Sequence, residues 1–236
     1  MALKVIEGGS GSDVLLLLHG LGGTGEVWRD VDEHWGGRWV APDLPGHGES
    51  DRLETYTFDS LARELSPLIR PGDRVTILGH SLGGVLALLL GGWHDEVARV
   101  VGLGIKVEWA PDELAKAAAM AERPPAWFDS EADAVAWHRR VSGIADLVDD
   151  AVASHGVIDD HGRWRLRLDC KAFWVGAPDM REIIGACRAP VTLARGEHDP
   201  MVSERQLADL VDDPVTLPGL GHNAHLQDPA AVYALL

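Results

Sequence analysis

The sequence contains a serine, an aspartate and a histidine whose side chains could together perform nucleophilic catalysis. Ser81 lies in "GHSLGG" at 79–84, Asp199 in "GEHDP" at 196–200, and His222 in "GLGH" at 219–222. A serine hydroxyl is a weak nucleophile until a neighbouring base removes its proton. A histidine can act as that base, and a carboxylate that accepts its other ring proton holds it in the required tautomer. These three residue types point to attack by Ser81 on an acyl carbon.

The residues around Ser81 predict a sharp turn between a strand and a helix. The apolar run "RVTIL" precedes the motif, and the helical run "LGGVLALLL" follows Ser81 directly. Gly79 and Gly83 let the chain turn tightly, which raises the serine side chain above the carboxyl edge of a sheet. Because the helix begins directly after Ser81, its free N–H groups and its dipole favour a developing negative charge at that point.

The histidine and the carboxylate each have alternatives in the sequence. His222 is the best-placed base because it follows the last strand-like segment in a glycine-containing loop, and His225 is the alternative three residues later. Asp199 follows the late strand "PVTLARGE" and can accept the Nδ1 proton of His222. Glu197, nearer that strand, and Glu108, after the preceding strand, are the alternative acids.

The elements that must position these residues alternate along the chain. Short apolar runs bounded by turn residues, separated by helical patterns, predict a doubly wound, mostly parallel α/β sheet. The predicted strands are 13–20, 38–43, 74–80, 99–105 and 190–197, and the predicted helices are 57–70, 82–92 and 203–211. Residues 106–178 interrupt the alternation with helix-like stretches, so we expect a helical cap inserted into a core formed by 1–105 and 179–236.

A glycine-rich loop offers a competing interpretation. Gly20–Gly25 matches G-x-G-x-x-G, and Asp43 follows 18 residues later, as in a dinucleotide-binding site. However, His19 immediately precedes the loop, and Asp43 opens a second glycine-rich loop, "DLPGHGES". The chain also lacks the tyrosine followed four positions later by lysine that a short-chain dehydrogenase of this size would need. It has neither the G-x-x-x-x-G-K-[ST] loop that binds nucleoside triphosphates nor an H-E-x-x-H zinc motif. We therefore expect neither a cofactor nor a metal.

Taken together, "HGLGG" (19–23), "DLPGHGES" (43–50), "GHSLGG", "GEHDP" and "GLGH" resemble the α/β-hydrolase fold superfamily, in its esterase- and lipase-like branch with a serine nucleophile. The resemblance spans nearly the whole chain outside the cap. It implies a catalytic triad of Ser81, Asp199 and His222, with an oxyanion hole formed by the backbone N–H groups of Leu21 and Leu82. It also implies that the 43–50 loop is structural.

These features predict a carboxylic-ester hydrolase that forms an acyl-enzyme on a small or medium, largely apolar substrate. We expect specificity to come from the cap, through pocket residues that include His80, Trp109, Trp127, Phe128 and Trp137. A C–C bond hydrolase or lyase using the same triad is the main alternative. An aminopeptidase would need an acidic ammonium site that the sequence does not reveal, and a non-catalytic ligand-binding protein would not need an intact triad.

The composition of this 236-residue chain limits the kinds of partner that we expect it to bind. The net charge of −16 disfavours nucleic acid, anionic membranes and strongly anionic substrates unless a local pair such as Arg139-Arg140 compensates. No apolar run approaches the ~20 residues of a membrane span, and no secretory signal is evident. Cys170 and Cys187 form no metal motif and suit a reducing compartment. We expect a cytoplasmic enzyme with a small-molecule substrate; its oligomeric state is not indicated.

Overall fold

The computed structural model describes residues 1–236 except for the side chain of Asp32. Its strands, in chain order, are β1 (Val5–Gly8), β2 (Asp13–Leu18), β3 (Arg38–Pro42), β4 (Arg74–His80), β5 (Val97–Leu103), β6 (Trp127–Phe128), β7 (Val157–Asp160), β8 (Arg163–Leu166), β9 (Val191–Gly196) and β10 (Val215–Leu217). The helices are α1 (Phe58–Leu65), α2 (Leu82–Trp93), α3 (Pro111–Ala121), α4 (Glu131–Val141), α5 (Asp150–Ala153), α6 (Met180–Ala186), α7 (Glu204–Ala208), α8 (Ala224–Gln227) and α9 (Pro229–Tyr233).

The main sheet has the strand order β1-β3-β2-β4-β5-β9-β10, with β1 antiparallel and the others parallel. Strand β4, which leads into Ser81, occupies the centre. The carboxyl ends of β4, β9 and β10 therefore share one edge of the sheet, and the three segments that follow them carry Ser81, Asp199 and His222. The predicted doubly wound, mostly parallel α/β architecture is confirmed.

The sheet is buried on both faces because its central strands are mostly apolar, on both sides of the sheet. In β2, Leu16 and Leu18 join the core cluster under α1 and α2. Leu15 and Leu17 point to the opposite face and pack in a second cluster that contains Trp28 and Tyr233. Since successive side chains of a strand face opposite sides, an uninterrupted leucine run is what such a strand requires.

Residues 106–178, which we call the insert, lie between β5 and α6. Helices α3 and α4 form where the sequence predicts helices, but β6, β8 and β7 form an additional three-stranded antiparallel sheet. Helix α4 packs on this small sheet through Ala134 and Val135, which contact Val157 and Phe128. The insert is thus a mixed structure, and its sheet is absent from the sequence-based prediction because β6 spans only two residues and β8 carries alternating arginines.

Within the described part of the chain, no helix is long and apolar enough to cross a membrane.

Candidate active site

Ser81 occupies a strained position between β4 and α2. Its φ of 50° and ψ of −114° lie where non-glycine residues are rarely found. Its N–H donates to the carbonyl oxygen of Leu103 at 2.8 Å, which anchors the turn to the end of β5. Strain of this kind persists only where the surroundings enforce it, and it concentrates at functional sites. The predicted strand–turn–helix context of Ser81 is present.

The glycines that flank Ser81 are required by close backbone approach. A Cβ at Gly79 would clash with the carbonyl oxygen of Gly83 and lie 2.7 Å from the Cα of Gly84. A Cβ at Gly83 would clash with the carbonyl oxygen of Leu18 at the end of β2. The first turn of α2 therefore sits directly against the sheet edge, and only glycine fits at these two positions.

Asp199 and His222 lie together at the same edge. The Nδ1 atom of His222 is 3.0 and 3.1 Å from the two carboxylate oxygens of Asp199, whose side chain is fully buried. The N–H of Met201 donates to Oδ1 of Asp199 at 2.8 Å. The buried Arg195 guanidinium donates to the carbonyl oxygens of Val202, Glu197 and Asp199, which fixes the turn that carries the carboxylate. This arrangement holds Nδ1 protonated, so that Nε2 is free to accept a proton.

The loop of His222 docks closely on the end of β9. A Cβ at Gly196 would clash with the carbonyl oxygens of Leu220 and Gly221, and the N–H of His198 donates to the carbonyl oxygen of Leu220 at 2.8 Å. Beyond β5, Gly104 has a φ of +61°, and a Cβ there would lie 3.0 Å from Oδ2 of Asp199 and 3.1 Å from Nδ1 of His222. Glycine at these positions is what allows the Asp199–His222 hydrogen bond to form in so little space.

The alternative acids and base are engaged elsewhere. Oε2 of Glu197 accepts a hydrogen bond from the N–H of Gly219 at 2.7 Å, and Oε2 of Glu108 accepts one from Gln206 at 2.8 Å. His225 is buried against Trp28 and His80, with ring centroids 4.6 and 4.4 Å apart. Its pKa falls to about 3 because burial disfavours the charged ring.

The glycine loop after β2 approaches the serine from the opposite side. A Cβ at Gly20 would lie 2.7 Å from Nδ1 of His80 and 3.3 Å from the Cβ of Ser81. Leu21 follows in this loop, and Leu82 is the first residue of α2. Among the described residues, the backbone N–H groups of Leu21 and Leu82 donate no hydrogen bond to another part of the chain. Both amides are thus available beside Ser81.

His80 lies beneath the serine and contacts the loop of His222. Its Nε2–H donates to the carbonyl oxygen of His222 at 3.0 Å, and the two ring centroids are 4.7 Å apart. Burial holds the pKa of His80 well below its ordinary value, and the neighbouring His225 and His222 lower it further. The ring therefore stays neutral and supports the loop as a hydrogen-bond donor.

Two cavities meet at Ser81, and Leu21 and Met201 also line both of them. The larger, of about 420 Å³, is mostly apolar and is formed by core and insert together; its lining includes Phe58, Leu82, Val85, Trp109, Leu114, Met120 and Phe173. The smaller, of about 250 Å³, is more polar and includes His80, Arg140, Ser142, His222 and Asn223. We refer to them as the apolar cavity and the polar cavity.

The predicted pocket residues divide between these cavities and the outer part of the insert. Trp109 lines the apolar cavity and His80 the polar one. Trp127, Phe128 and Trp137 line neither, which corrects the sequence-based expectation for these three. Phe128, in β6, packs against α4, and Trp127 and Trp137 are 41% and 38% exposed beneath arginine side chains. Trp127 and Phe128 form strand β6 of the small sheet, which the sequence did not predict.

The loop that resembled a dinucleotide fingerprint is braced by Asp43. Its Oδ1 accepts from the N–H of Gly25 at 2.7 Å and its Oδ2 from the N–H of Glu49 at 2.8 Å. A Cβ at Gly48 would clash with the same carboxylate. Asp43 thus ties the loop after β2 to the loop after β3, as expected for a structural "DLPGHGES" segment.

A mostly parallel sheet with a strained serine turn after its central strand, and a late aspartate–histidine pair at the same edge, is the architecture of the α/β-hydrolase fold. The chain belongs to the alpha/beta hydrolase family, whose family model matches residues 15–235.

Individual relatives cover nearly the whole chain. It is 31% identical to 2-succinyl-6-hydroxy-2,4-cyclohexadiene-1-carboxylate synthase of Yersinia enterocolitica serotype O:8, over 94% of this chain and 84% of the relative. It is 26% identical to esterase Rv0045c of Mycobacterium tuberculosis, over 100% of this chain and 85% of the relative. The solved structure of E-2-(acetamidomethylene)succinate hydrolase superposes with a TM-score of 0.82 at 24% identity, covering 99% of this chain and 92% of that one. The family match and the esterase support hydrolase activity, and the superposition supports the fold.

Proposed function

We propose that the protein is a serine hydrolase that cleaves carboxylic esters of small or medium, largely apolar substrates through an acyl-enzyme. The observation that carries the proposal is the position of Ser81, which lies on a strained turn where two cavities meet. One of these cavities is also lined by His222, whose ring pairs with a buried carboxylate. The known esterase among the relatives supports the same chemistry.

In the first half of the reaction, Ser81 Oγ attacks the acyl carbon while Nε2 of His222 takes the hydroxyl proton. Asp199 holds Nδ1 and stabilises the imidazolium that forms. The carbonyl oxygen becomes an oxyanion that accepts hydrogen bonds from the N–H groups of Leu21 and Leu82. Collapse of this intermediate breaks the C–O bond, and His222 returns its proton to the leaving alcohol, which leaves the acyl group on Ser81.

In the second half, His222 removes a proton from water, which attacks the acyl carbon at the same oxyanion site. Collapse releases the carboxylic acid and restores the proton to Ser81. Preorganised donors act on this charge without reorganisation, and one such donor is typically worth roughly 3–4 kcal/mol in the transition state.

The two cavities suggest where the acyl group and the leaving group of the substrate bind. The leaving group must lie on the side of His222, which protonates it, and this is the polar cavity. The acyl group then occupies the apolar cavity, against Trp109 and Phe173. Its volume of about 420 Å³ is at the lower end of the roughly 300–1,000 Å³ of small-molecule sites. Acyl groups of short to medium length suit this space.

A C–C bond hydrolase or lyase on the same triad is the second candidate. It is favoured by the relative that is 31% identical and named as a cyclohexadiene-carboxylate synthase. Arg140 lies on the lining of the polar cavity, and no carboxylate is among the described residues that line it. Such a cavity suits a substrate that carries an acid group better than it suits a fully apolar ester.

The test compares wild type and Ser81→Ala on p-nitrophenyl esters of increasing acyl length, with fluorophosphonate labelling in parallel. We expect hydrolysis by the wild type to peak at a short or medium chain and to fall by several orders of magnitude in Ser81→Ala, since loss of the nucleophile costs about 10⁶-fold in a well-studied serine protease. Near-wild-type turnover by Ser81→Ala would exclude Ser81 as the nucleophile. Labelling of Ser81 without hydrolysis of any ester would favour the C–C chemistry.

A further inference from the structure

The insert makes two hydrogen bonds to a single carbonyl group of the loop after β2. Nε2 of His138 lies 2.9 Å from the oxygen of Gly22, and Oγ of Ser142 lies 2.7 Å from the same oxygen. His138 is 2% exposed and sits in α4, while Ser142 directly follows that helix. Gly22 lies one residue after Leu21, whose N–H is an oxyanion donor in the proposed mechanism.

We propose that His138 and Ser142 are positioning residues that set the direction and strength of the Leu21 N–H through two linked peptide groups. This inference rests on the proposed function, because it assigns these insert residues to the oxyanion hole of that reaction.

The linkage runs through a tight turn. The oxygen of the Gly22–Gly23 peptide is held by the insert, and the N–H of this peptide donates to the carbonyl oxygen of Gly20 at 3.0 Å. That carbonyl belongs to the Gly20–Leu21 peptide, whose N–H is the oxyanion donor. A trans peptide is planar, with its C=O and N–H pointing to opposite sides. Holding the Gly20 oxygen therefore sets where the Leu21 N–H points.

The core holds the same turn from its other end. Nδ1–H of the buried His19 donates to the Gly20 oxygen at 2.8 Å, while its Nε2 accepts from the N–H of Leu44 at 2.9 Å. Burial lowers the pKa of His19 to about 4, so this neutral tautomer persists at neutral pH. The insert adds two further hydrogen bonds to this turn, from His138 and Ser142 to the oxygen of the Gly22–Gly23 peptide.

The two insert donors also strengthen the linkage. Hydrogen bonds in a chain of peptide groups polarise one another, and the effect is larger in a buried, low-dielectric setting. Donation to the Gly22 oxygen makes the Gly23 N–H a stronger donor, which in turn polarises the peptide that carries the Leu21 N–H. Two donors on one carbonyl maximise this effect.

Local packing leaves the insert donors little freedom. A Cβ at Gly156 would clash with the His138 ring, so this ring is wedged against the turn after α5. At Gly22, where φ is +82°, a Cβ would lie 3.1 Å from Oγ of Ser142. The same segment also reaches the other side of the site, since Nδ2 of Asn223 donates to the carbonyl oxygen of Gly143 at 2.8 Å. Residues 138–143 thus bridge the Leu21 turn and the His222 loop.

The test uses donor-deleting and donor-retaining variants of both residues. Ser142→Ala and His138→Met remove one donor each, and their combination removes both. His138→Gln retains a donor, because the Gln amide nitrogen is the same number of bonds from Cβ as Nε2. Ser154→Ala is the matched control, since Ser154 also lies in the insert and, among the described residues, its hydroxyl donates only to the local carbonyl of Ala151.

Three quantities are measured for each variant: kcat and KM on the best p-nitrophenyl ester, the rate of Ser81 modification by a fluorophosphonate, and the thermal midpoint. Because a displaced catalytic group can cost about 10²-fold, we expect kcat to fall about 3- to 10-fold in Ser142→Ala, about 10-fold in His138→Met and about 100-fold in the double variant, with KM nearly unchanged. The modification rate should fall in parallel. His138→Gln should recover most of the loss, and Ser154→Ala should match the wild type.

The outcomes separate this inference from the proposed function. If the wild type is modified at Ser81 but hydrolyses no ester, the ester proposal fails and the modification rates still decide the inference. Wild-type rates in folded Ser142→Ala and in the double variant would overturn it, as would a rise in KM at unchanged kcat, which indicates direct substrate contact. If His138→Met does not fold, Ser142→Ala alone and His138→Gln combined with Ser142→Ala decide.

Discussion

At the scale of single residues, hydrogen bonds and burial fix the orientation of the polar side chains in the candidate site. Asp199 receives the N–H of Met201 on one oxygen and faces Nδ1 of His222 with both. His80 is kept neutral by burial and supports the His222 loop from below. The tautomer of His222 is therefore determined by one carboxylate, whose removal should have a specific consequence.

Asp199→Asn should leave the fold intact and abolish most activity. The Asn oxygen can still accept from Met201, but its amide would then donate to Nδ1 of His222 and force the proton onto Nε2, where it blocks transfer from Ser81. The equivalent change in a serine protease lowers kcat about 10⁴-fold, and we expect a loss of this order. Glu108→Gln, which alters an exposed carboxylate in the insert, is the matched control for kcat measurements. Comparable activity in both variants would show that Asp199 does not orient the base.

At the scale of elements, the site depends on how closely α2 approaches the end of β2. Gly83 lies in the first turn of α2, where any side chain would meet the carbonyl oxygen of Leu18 and lie 2.7 Å from that of His19. Because this is backbone, it cannot rotate out of the way. The strain at Ser81 and the position of the Leu82 N–H both follow from this contact.

Gly83→Ala should therefore destabilise the protein even though alanine is the better helix former. We expect a loss of about 1–3 kcal/mol in the free energy of unfolding, as for overpacked cores, measured by urea denaturation. Gly185→Ala is the matched control, because Gly185 lies in α6 with nothing within 4 Å of its Cβ position. It should be stabilised by about 0.5–1 kcal/mol through helix propensity. Equal effects in the two variants would show that the contact with β2 is relaxed in solution.

The same element-scale contacts explain what could be predicted from the sequence. The central parallel strands, the Ser81 turn and the loops of Asp199 and His222 are encoded by short local patterns of apolar runs and glycines, whereas β1 and the three strands of the small sheet were not predicted. His138, Ser142 and Asn223 were missed because their partners lie 116, 120 and 80 residues away and no local pattern marks them. For His138 and Ser142 the sequence offers only a weak signal, which is the cluster of polar residues at the end of the amphipathic helix α4. Trp127, Phe128 and Trp137 were misplaced because aromatic composition does not reveal which way an insert folds.

At the scale of the whole molecule, several buried histidines make the fold sensitive to acid. Burial lowers the pKa of His19 to about 4 and the pKa values of His47 and His225 to about 3, against an ordinary value near 6.5 in the unfolded chain. Between these values the unfolded chain binds more protons than the native protein. The contribution of these histidines to the free energy of unfolding is therefore fully present above about pH 6.5 and is lost as the pH drops below it. Asp43 opposes this trend, since burial raises its pKa.

His47→Asn isolates one of these contributions. Nδ1 of His47 donates to the carbonyl oxygen of Pro45 at 3.1 Å, a bond that an Asn amide can replace, and its Nε2 has no partner among the described residues. Each buried histidine adds a slope of up to about 1.4 kcal/mol per pH unit below pH 6.5. The measurement is the free energy of unfolding in urea at pH 5, 6, 7 and 8. We expect that of the wild type to fall steeply below pH 6.5. For His47→Asn the slope against pH should be smaller by up to about 1.4 kcal/mol per pH unit, which corresponds to one proton. His161→Asn, whose side chain is 98% exposed, should follow the wild-type slope. If His47→Asn also follows it, His47 is protonated in the native protein and the burial argument fails for this residue.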